Sequence, residues 1–200
     1  MLEPPVSLAG AAVTIVLRDG ADDEEILLIE RTTRPDDPAS GQVALPGGHV
    51  DDGDGSLRAT AVRELEEEVG LTEADLTGPV RFVRTQSAPR FRLEVGVFVG
   101  ELGPGRRVAP HRNPREVAHV FWFPAHQLRS SDTIHVEHER GAVDLPASRF
   151  EGHLLWGFTR RVLRDFYGLT AENDAGGVLY APSPGSARDP EAGSDSRPAP

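Results

Sequence analysis

Residues 45–71 read LPGGHVDDGDGSLRATAVRELEEEVGL, a glycine-rich loop that runs into a segment crowded with carboxylates. Ser56 belongs to the residue types preferred at a helix N-cap, and Gly70 to those preferred just past a helix C-terminus. Together they predict a helix over residues 57–69. A glycine loop followed at once by an acidic helix is typical of a site for a divalent metal ion and phosphate.

Three carboxylates share one face of this helix. Glu64, Glu67 and Glu68 fall at positions i, i+3 and i+4, which lie within an arc of about 100°. Two unit charges about 4 Å apart repel by about 4 kcal/mol at an effective dielectric constant near 20, so this face needs a counterion or a raised pKa. Mg²⁺ and Mn²⁺ prefer oxygen ligands and would remove the repulsion. The alternative is an ordinary solvated face rich in Glu.

The second half of this stretch resembles a known signature. Residues 63–71 read RELEEEVGL and match the second half of the Nudix box, Arg-Glu-apolar-x-Glu-Glu-x-Gly-apolar, at all seven specified positions. The first half departs from it, because Gly55 stands where the box has Glu, eight residues before the Arg. Counted from Gly48 the loop is one residue longer, and Asp54 stands where the acidic residue is wanted. This longer loop resembles the coenzyme A pyrophosphatase branch of the Nudix hydrolases.

Upstream residues resemble the same branch. Residues 27–31 read LLIER and residues 37–48 read DPASGQVALPGG. The branch has a Leu-Leu-x-x-Arg strand followed by Gly-x-x-x-Phe-Pro-Gly-Gly, and here Leu45 replaces the Phe. The second Arg of that signature has no aligned partner, since Arg34 lies two residues before the expected position.

Residues 153–160, HLLWGFTR, resemble the Trp-Gly-x-Thr opening of the family's C-terminal helix. The resemblance then spans about residues 8 to 168. It implies an α/β fold, the Nudix α/β/α sandwich with a mixed sheet, in a domain over residues 1–170. Residues 171–200 are rich in Pro, Gly, Ser and Ala without periodicity, so we expect a disordered C-terminal tail.

The resemblance implies a metal-dependent diphosphatase. It implies that the three box carboxylates hold Mg²⁺ or Mn²⁺ and that Arg63 orients a neighbouring Glu. The general base comes from the box or from a later loop, where Glu116 is our candidate for a metal or catalytic ligand. The alternative for Glu116 is an ordinary surface residue.

Four further residues are candidates for substrate binding. The backbone N–H groups of Gly47 and Gly48 can approach a diphosphate closely, although glycines in loops also serve turns. Arg31 and Arg34 are candidates for the 3′-phosphate of coenzyme A, since guanidinium groups bind phosphate oxygens in pairs. The alternative is that Arg31 pairs with a nearby acid and Arg34 is solvated.

The branch implies cleavage of coenzyme A or acyl-coenzyme A to 3′,5′-ADP and the corresponding 4′-phosphopantetheine. One alternative is hydrolysis of ADP-ribose or another nucleoside diphosphate derivative. Another is a catalytically silent binding module with the same fold. The three crowded acids weigh against the silent module, because binding alone has no use for them.

The composition limits the partners. The chain of 200 residues has a net charge of −11, which argues against nucleic acid and anionic membranes because both attract basic surfaces. It has no cysteine, hence no disulfide, and no lysine, so any phosphate clamp uses Arg. We see no export signal and no long apolar run, so we expect a cytoplasmic protein with a small nucleotide substrate. A homodimer remains open.

Strand and helix signals indicate mixed α and β structure. Apolar and β-branched runs predict strands over residues 11–18, 25–30, 80–85, 90–100 and 117–123, with hairpins around 19–24 and over 132–144. A last helix is predicted over residues 154–167. Three histidines are interpreted as polar surface or capping residues: His135, His138 and His153.

Overall fold

A mixed β-sheet forms the centre of the molecule. The computed structural model describes residues 9–35, 39–89, 92–106, 108, 113–130, 132–138 and 141–169. Within these residues the sheet has seven strands: β1 Ala11–Asp19, β2 Glu24–Arg31, β3 Val43–Ala44, β4 Gly47–His49, β5 Arg81–Ala88, β6 Leu93–Glu101 and β7 Val117–Pro124. The order is β3-β2-β1-β6-β5, with β4 paired to β1 and β7 paired to β2. β1 runs parallel to β6, whereas its pairings with β2 and β4 are antiparallel.

One helix covers each face of this sheet. Helix α1, Leu57–Val69, buries Leu57, Ala61 and Leu65 in the cluster on one face. Helix α2, Gly157–Phe166, buries Val162 and Leu163 in the cluster on the other. Both faces of the strands are therefore apolar, as expected for a sheet that is covered on two sides. The α/β/α sandwich expected from the resemblance is confirmed.

A second, three-stranded antiparallel sheet follows in the chain. It consists of β8 Asp132–His138, β9 Gly141–Phe150 and β10 His153–Trp156, with β9 in the middle. The hairpin predicted over residues 132–144 is confirmed, but β9 continues past it to Phe150. That extension provides the edge with which β10 pairs.

The prediction for the last helix was wrong at its start, because residues 153–156 form strand β10. Leu154 pairs with Arg149 and Trp156 with Ala147, so this segment belongs to a sheet. Gly157 has φ of +64°, a left-handed conformation that suits Gly and turns the chain from strand into helix. His153 therefore caps no helix. Its ring stacks on Phe121 with 3.8 Å between the centroids.

The other predicted strands are present, with shifts of up to three residues at their ends. The β1–β2 hairpin is confirmed, and the strands predicted over 80–85 and 90–100 are found at Arg81–Ala88 and Leu93–Glu101. His135 lies on the surface, where its Nδ1 is 2.8 Å from Asp144 Oδ1. The side chain of His138 and the tail over 171–200 lie outside the described residues. In the described part of the chain, neither helix has the length and hydropathy to cross a membrane.

Candidate active site

Helix α1 begins and ends where the sequence predicts. The Ser56 hydroxyl accepts the N–H of Ala59 at 3.1 Å. Gly70 has φ of +69°, and its N–H donates to the carbonyl of Glu66 at 3.0 Å. These hydrogen bonds satisfy backbone groups at both ends of the helix and so set its limits at Leu57 and Val69.

The three box carboxylates differ strongly in burial. Glu64 is 9% exposed and Glu68 only 2%, whereas the side chain of Glu67 is 51% exposed. Glu64 and Glu68 are one turn apart on the side of α1 that packs near β4, and Glu67 lies at the rim. The spacing thus predicts that the three acids share a face of the helix. Packing against the sheet determines how exposed each acid is to solvent.

Arg63 connects the exposed and buried acids. Its Nη1 donates to Glu64 Oε1 at 2.9 Å and to Glu67 Oε2 at 3.1 Å. Its Nη2 donates to the carbonyl of His49 at 3.0 Å and to Asp54 Oδ2 at 2.9 Å. One guanidinium therefore contacts two box carboxylates and ties them to the loop, and the orienting role that the resemblance implied for this Arg stays a prediction.

Asp54 fills the acidic position that Gly55 leaves empty. Its side chain is 7% exposed, and its Oδ2 accepts the Asp51 N–H at 3.0 Å and the Thr60 hydroxyl at 2.8 Å. The hydrogen bonds from Arg63 hold the pKa of Asp54 well below its usual range. The one-residue loop extension is thus absorbed by a compact turn. The role of Thr60 was not predicted from the sequence, since a Thr within a helix carries no distinctive signal.

Glu68 is a buried acid whose pKa is shifted by burial and by neighbouring charges. Burial raises the pKa of Glu68 to about 8, and the negative charges of Glu64 and Glu116 contribute to this increase. The N–H of Gly47 donates to Glu68 Oε2 at 2.8 Å and lowers the pKa. The positive charge of Arg31, the last residue of β2, lowers it again. Burial likewise raises the pKa of Glu64, against the hydrogen bond from Arg63. A cation would relieve both groups.

The structure brings Glu116 to this cluster from a distant turn. Its charge acts on both Glu64 and Glu68, where it raises their pKa values. Its backbone N–H donates to the carbonyl of Asn113 at 2.9 Å, and its own carbonyl accepts the Thr32 N–H at 2.8 Å. The structure thus brings Glu116 together with the box acids, and its role as a metal or catalytic ligand stays a prediction.

Gly47 and Gly48, which lie in strand β4, are both closely approached by other atoms. A Cβ on Gly48 would lie 2.3 Å from Glu64 Oε1, and one on Gly47 would lie 2.3 Å from the carbonyl oxygen of Ala12. In this structure the Gly47 N–H is used by Glu68. Diphosphate binding by Gly47 and Gly48 stays a prediction. Their close contacts with the carboxylates of Glu68 and Glu64 were not predicted from the sequence.

The two arginines that are candidates for phosphate binding interact with different groups. Arg31 acts electrostatically on Glu68, whereas the Arg34 guanidinium donates to the backbone carbonyl of Arg115. The sequence could not show this second contact, because it joins residues 81 positions apart. Whether either side chain binds a 3′-phosphate stays a prediction.

The donor set fits a hard divalent cation, although its present arrangement does not enclose one. Among the described residues, no group of three or more His, Asp or Glu side chains is arranged to hold a metal ion. The reason is visible in the hydrogen bonds: Glu64 and Glu67 turn to Arg63, and Glu68 turns to the Gly47 N–H. All candidate ligands are carboxylate oxygens, the type that Mg²⁺ and Mn²⁺ prefer. A cation would compete with Arg63 for the carboxylate oxygens of Glu64 and Glu67.

Comparison with known proteins places these features in one family. The model described as NUDIX domain matches residues 8–144. An uncharacterised protein of Photorhabdus laumondii named Nudix hydrolase NudL is 32% identical over 148 residues, which cover 68% of this chain and 73% of that protein. A Caenorhabditis elegans protein named peroxisomal coenzyme A diphosphatase ndx-8 is 36% identical over 134 residues, covering 62% of this chain and 52% of that protein.

Solved structures agree on the fold. The crystal structure of a MutT/nudix family protein from Enterococcus faecalis superposes with a TM-score of 0.53 at 22% identity, covering 84% of this chain and 63% of that one. At this identity the similarity bears on the fold alone, and it supports the mixed sheet between helices described above.

Proposed function

The chain belongs to the Nudix hydrolase family, and we propose that it cleaves the diphosphate of coenzyme A or acyl-coenzyme A with the help of Mg²⁺ or Mn²⁺. The observation that carries the proposal is the cluster of Glu64, Glu67 and Glu68 around Arg63, joined by Glu116. The choice of substrate is supported by the loop that places Asp54 on Arg63 and by the identity with the protein named coenzyme A diphosphatase.

The reaction consumes one water molecule. Its oxygen attacks one phosphorus of the diphosphate, the bond from that phosphorus to the bridging oxygen breaks, and one proton is released. The products are two phosphate monoesters, 3′,5′-ADP and 4′-phosphopantetheine or its acyl form. A bound divalent cation supplies neutralisation of the diphosphate charge and a lowered pKa for a coordinated water.

The protein supplies ligands, a base and orientation. The cation would be held by Glu64, Glu67 and Glu68. Arg63 would then orient a carboxylate to which it still donates a hydrogen bond. We assign Glu116 as a further metal or catalytic ligand because its charge is already felt at Glu64 and Glu68. This position suits acceptance of the proton that the attacking water loses.

The substrate side of the site is assigned to Gly47, Gly48 and Arg31. The backbone around Gly47 and Gly48 lies beside Glu64 and Glu68, so a diphosphate bound at these carboxylates together with the cation would approach this strand closely. Of the two arginines predicted to bind the 3′-phosphate, we keep Arg31 as the candidate, because the Arg34 guanidinium donates to the Arg115 carbonyl. Arg31→Ala tests this directly: a larger rise of KM for coenzyme A than for dephospho-coenzyme A would support the contact, and equal effects would reject it for Arg31.

A substrate screen tests the proposed function. Coenzyme A, acetyl-coenzyme A, NADH and ADP-ribose are incubated with the full chain and Mg²⁺ or Mn²⁺, and the products are separated by chromatography. We expect kcat/KM for coenzyme A or its acetyl form to exceed that for ADP-ribose by about tenfold or more, a difference of about 1.4 kcal/mol in transition-state binding. A preference for ADP-ribose would reassign the substrate, and hydrolysis of none of them would favour a silent module.

Two further expectations belong to the proposal. The cytoplasmic location and the absence of nucleic-acid and membrane partners remain predictions from composition. The oligomeric state is open between monomer and homodimer, and light scattering of the purified chain decides it.

A further inference from the structure

Two segments that are distant in the sequence are joined beside the acidic cluster. The first is the end of β2 and the residues after it, and the second is the turn formed by residues 113–116. The Thr32 N–H donates to the Glu116 carbonyl at 2.8 Å, and the Thr32 hydroxyl to the Pro114 carbonyl at 3.3 Å. The Arg34 guanidinium donates to the Arg115 carbonyl. Three successive carbonyls of the turn are thus held by this one segment.

The turn itself is internally fixed. The Asn113 side chain accepts the Arg115 N–H at 3.1 Å. The Asn113 carbonyl accepts the N–H groups of Glu116 at 2.9 Å and Val117 at 2.7 Å. These hydrogen bonds from residues 115–117 to Asn113 close the turn on itself. Its position relative to the box therefore depends on the contacts that Thr32 and Arg34 make with it.

The junction starts at an irregularity in the sheet. The pairing of β2 with β7 changes register between Glu30 and Arg31, so that Arg31 lies opposite Val117. Irregularities of this kind redirect side chains and often lie next to functional sites. Here the chain leaves the regular ladder just where Arg31 acts on Glu68 and where the next residues meet the turn that carries Glu116.

Arg34 is also fixed on its own side. Its backbone N–H donates to the Ser40 hydroxyl at 2.5 Å, which ties it to the segment leading to the glycine strand β4. The guanidinium contact with Arg115 therefore spans from a fixed backbone to a fixed turn. A hydrogen bond between two ordered groups loses less entropy than one made by a free side chain.

We propose that Arg34 and Thr32 are positioning residues that hold the turn of residues 113–116, and with it Glu116, against the box carboxylates. In this arrangement Arg34 acts on turnover through Glu116, and the phosphate groups of the substrate are not its partner. The inference rests on the proposed function for its effect on the rate, but its effect on metal binding can be measured without any substrate.

The test compares Arg34→Ala with two matched variants. Arg34→Lys keeps a donor of one charge and is expected to recover part of the loss. Arg115→Ala removes an exposed guanidinium next to the same bond but keeps the accepting backbone carbonyl, so it is expected to behave as wild type. Melting temperatures verify that every variant is folded.

Arg34→Ala is expected to lower kcat by about tenfold, since a displacement of about 1 Å at a reacting group can cost up to a hundredfold. Its KM should change equally, by less than about twofold, for coenzyme A and dephospho-coenzyme A. In the Glu116→Gln background the same change should cost less than about twofold further, because the group that Arg34 positions is then already absent.

A substrate-free readout separates this inference from the proposed function. Titration of the metal-free chain with Mn²⁺, followed by electron paramagnetic resonance of the free ion, should show a Kd several-fold weaker for Arg34→Ala than for wild type or Arg115→Ala. If no diphosphate is cleaved, the proposed function fails while this titration still decides the inference. An unchanged Mn²⁺ Kd, a selective rise of KM for coenzyme A, or an equal loss in Arg115→Ala would each overturn it.

Discussion

Replacing Glu68 by Gln should stabilise the metal-free protein while it removes turnover. Glu68 is 2% exposed, and burial raises its pKa to about 8 from 4.5. Between these two pH values the native state holds a proton that the unfolded chain has lost. The free energy of unfolding therefore falls as pH rises through this window. With about 1.4 kcal/mol for each pKa unit, the loss between pH 4.5 and pH 7 is of the order of 3 kcal/mol.

Glu68→Gln removes this proton uptake and keeps an oxygen that can accept the Gly47 N–H. We expect a gain of about 1 to 3 kcal/mol in the free energy of unfolding at pH 7, where the lower value allows for an amide N–H₂ left without an acceptor. The gain should shrink towards pH 5. The same variant should lose several orders of magnitude in turnover, because a neutral amide is a poor ligand for Mg²⁺.

Urea unfolding in the presence of a chelator, at pH 5, 6, 7 and 8, measures the stability, and coenzyme A hydrolysis with Mg²⁺ measures the rate. Glu66→Gln is the matched control, since Glu66 is exposed on the same helix and should change neither quantity. The reasoning is refuted if Glu68→Gln is less stable than wild type at pH 7, or if its gain is the same at pH 5 and pH 8. A rate above about a tenth of wild type would remove Glu68 from the mechanism.

Two further predictions concern the loop. Asp54→Asn should lower the free energy of unfolding at pH 7 by about 2 to 4 kcal/mol, because Arg63 loses a nearly buried partner. Since the folded pKa of Asp54 is depressed, its contribution is present above pH 4 and is lost as pH falls further, so melting curves at pH 3 should show a smaller difference. Gly48→Ala should lower kcat by about tenfold or more, because the new Cβ would displace the Glu64 carboxylate. Gly53→Ala, which meets no atom within 4 Å, should retain the wild-type rate.

Local signals predicted the helix and its acids well. Ser56 and Gly70 act through hydrogen bonds to residues within five positions, so the sequence contains both partners of each contact. The helical period likewise puts Glu64 and Glu68 on one face without knowledge of the rest of the chain. Asp54, which the spacing places at the acidic position, contacts Arg63 only nine positions away, so this contact also lies within one local segment of the chain.

Long-range contacts account for the failures. Residues 154–156 have a helical pattern, yet β9 offers them a free edge, and the pairing outweighs local preference. The partner of Arg34 is a backbone carbonyl, and every residue in the chain has one, so no pattern of side chains could identify it. The burial difference between Glu64 and Glu67 also depends on how α1 sits on β4.

The folded chain reduces the repulsion between the crowded acids of α1 in two different ways, so the three candidate ligands differ in what a cation must displace. Arg63 neutralises Glu64 and Glu67, and Asp54 in turn balances Arg63, so this part of the site is stable without a cation. Glu68 receives no hydrogen bond from Arg63 among those described, and burial raises its pKa to about 8, whereas at Glu64 the hydrogen bond from Arg63 opposes the increase in pKa that burial causes. A cation that binds here competes with Arg63 for Glu64 and Glu67, whereas at Glu68 it competes with a proton and with the Gly47 N–H. The affinity for metal should therefore depend on pH through Glu68 and on Asp54 through Arg63. A chain without Asp54 leaves Arg63 to compete more strongly for the same carboxylates, so Asp54→Asn should weaken the binding of Mn²⁺ even where the protein remains folded.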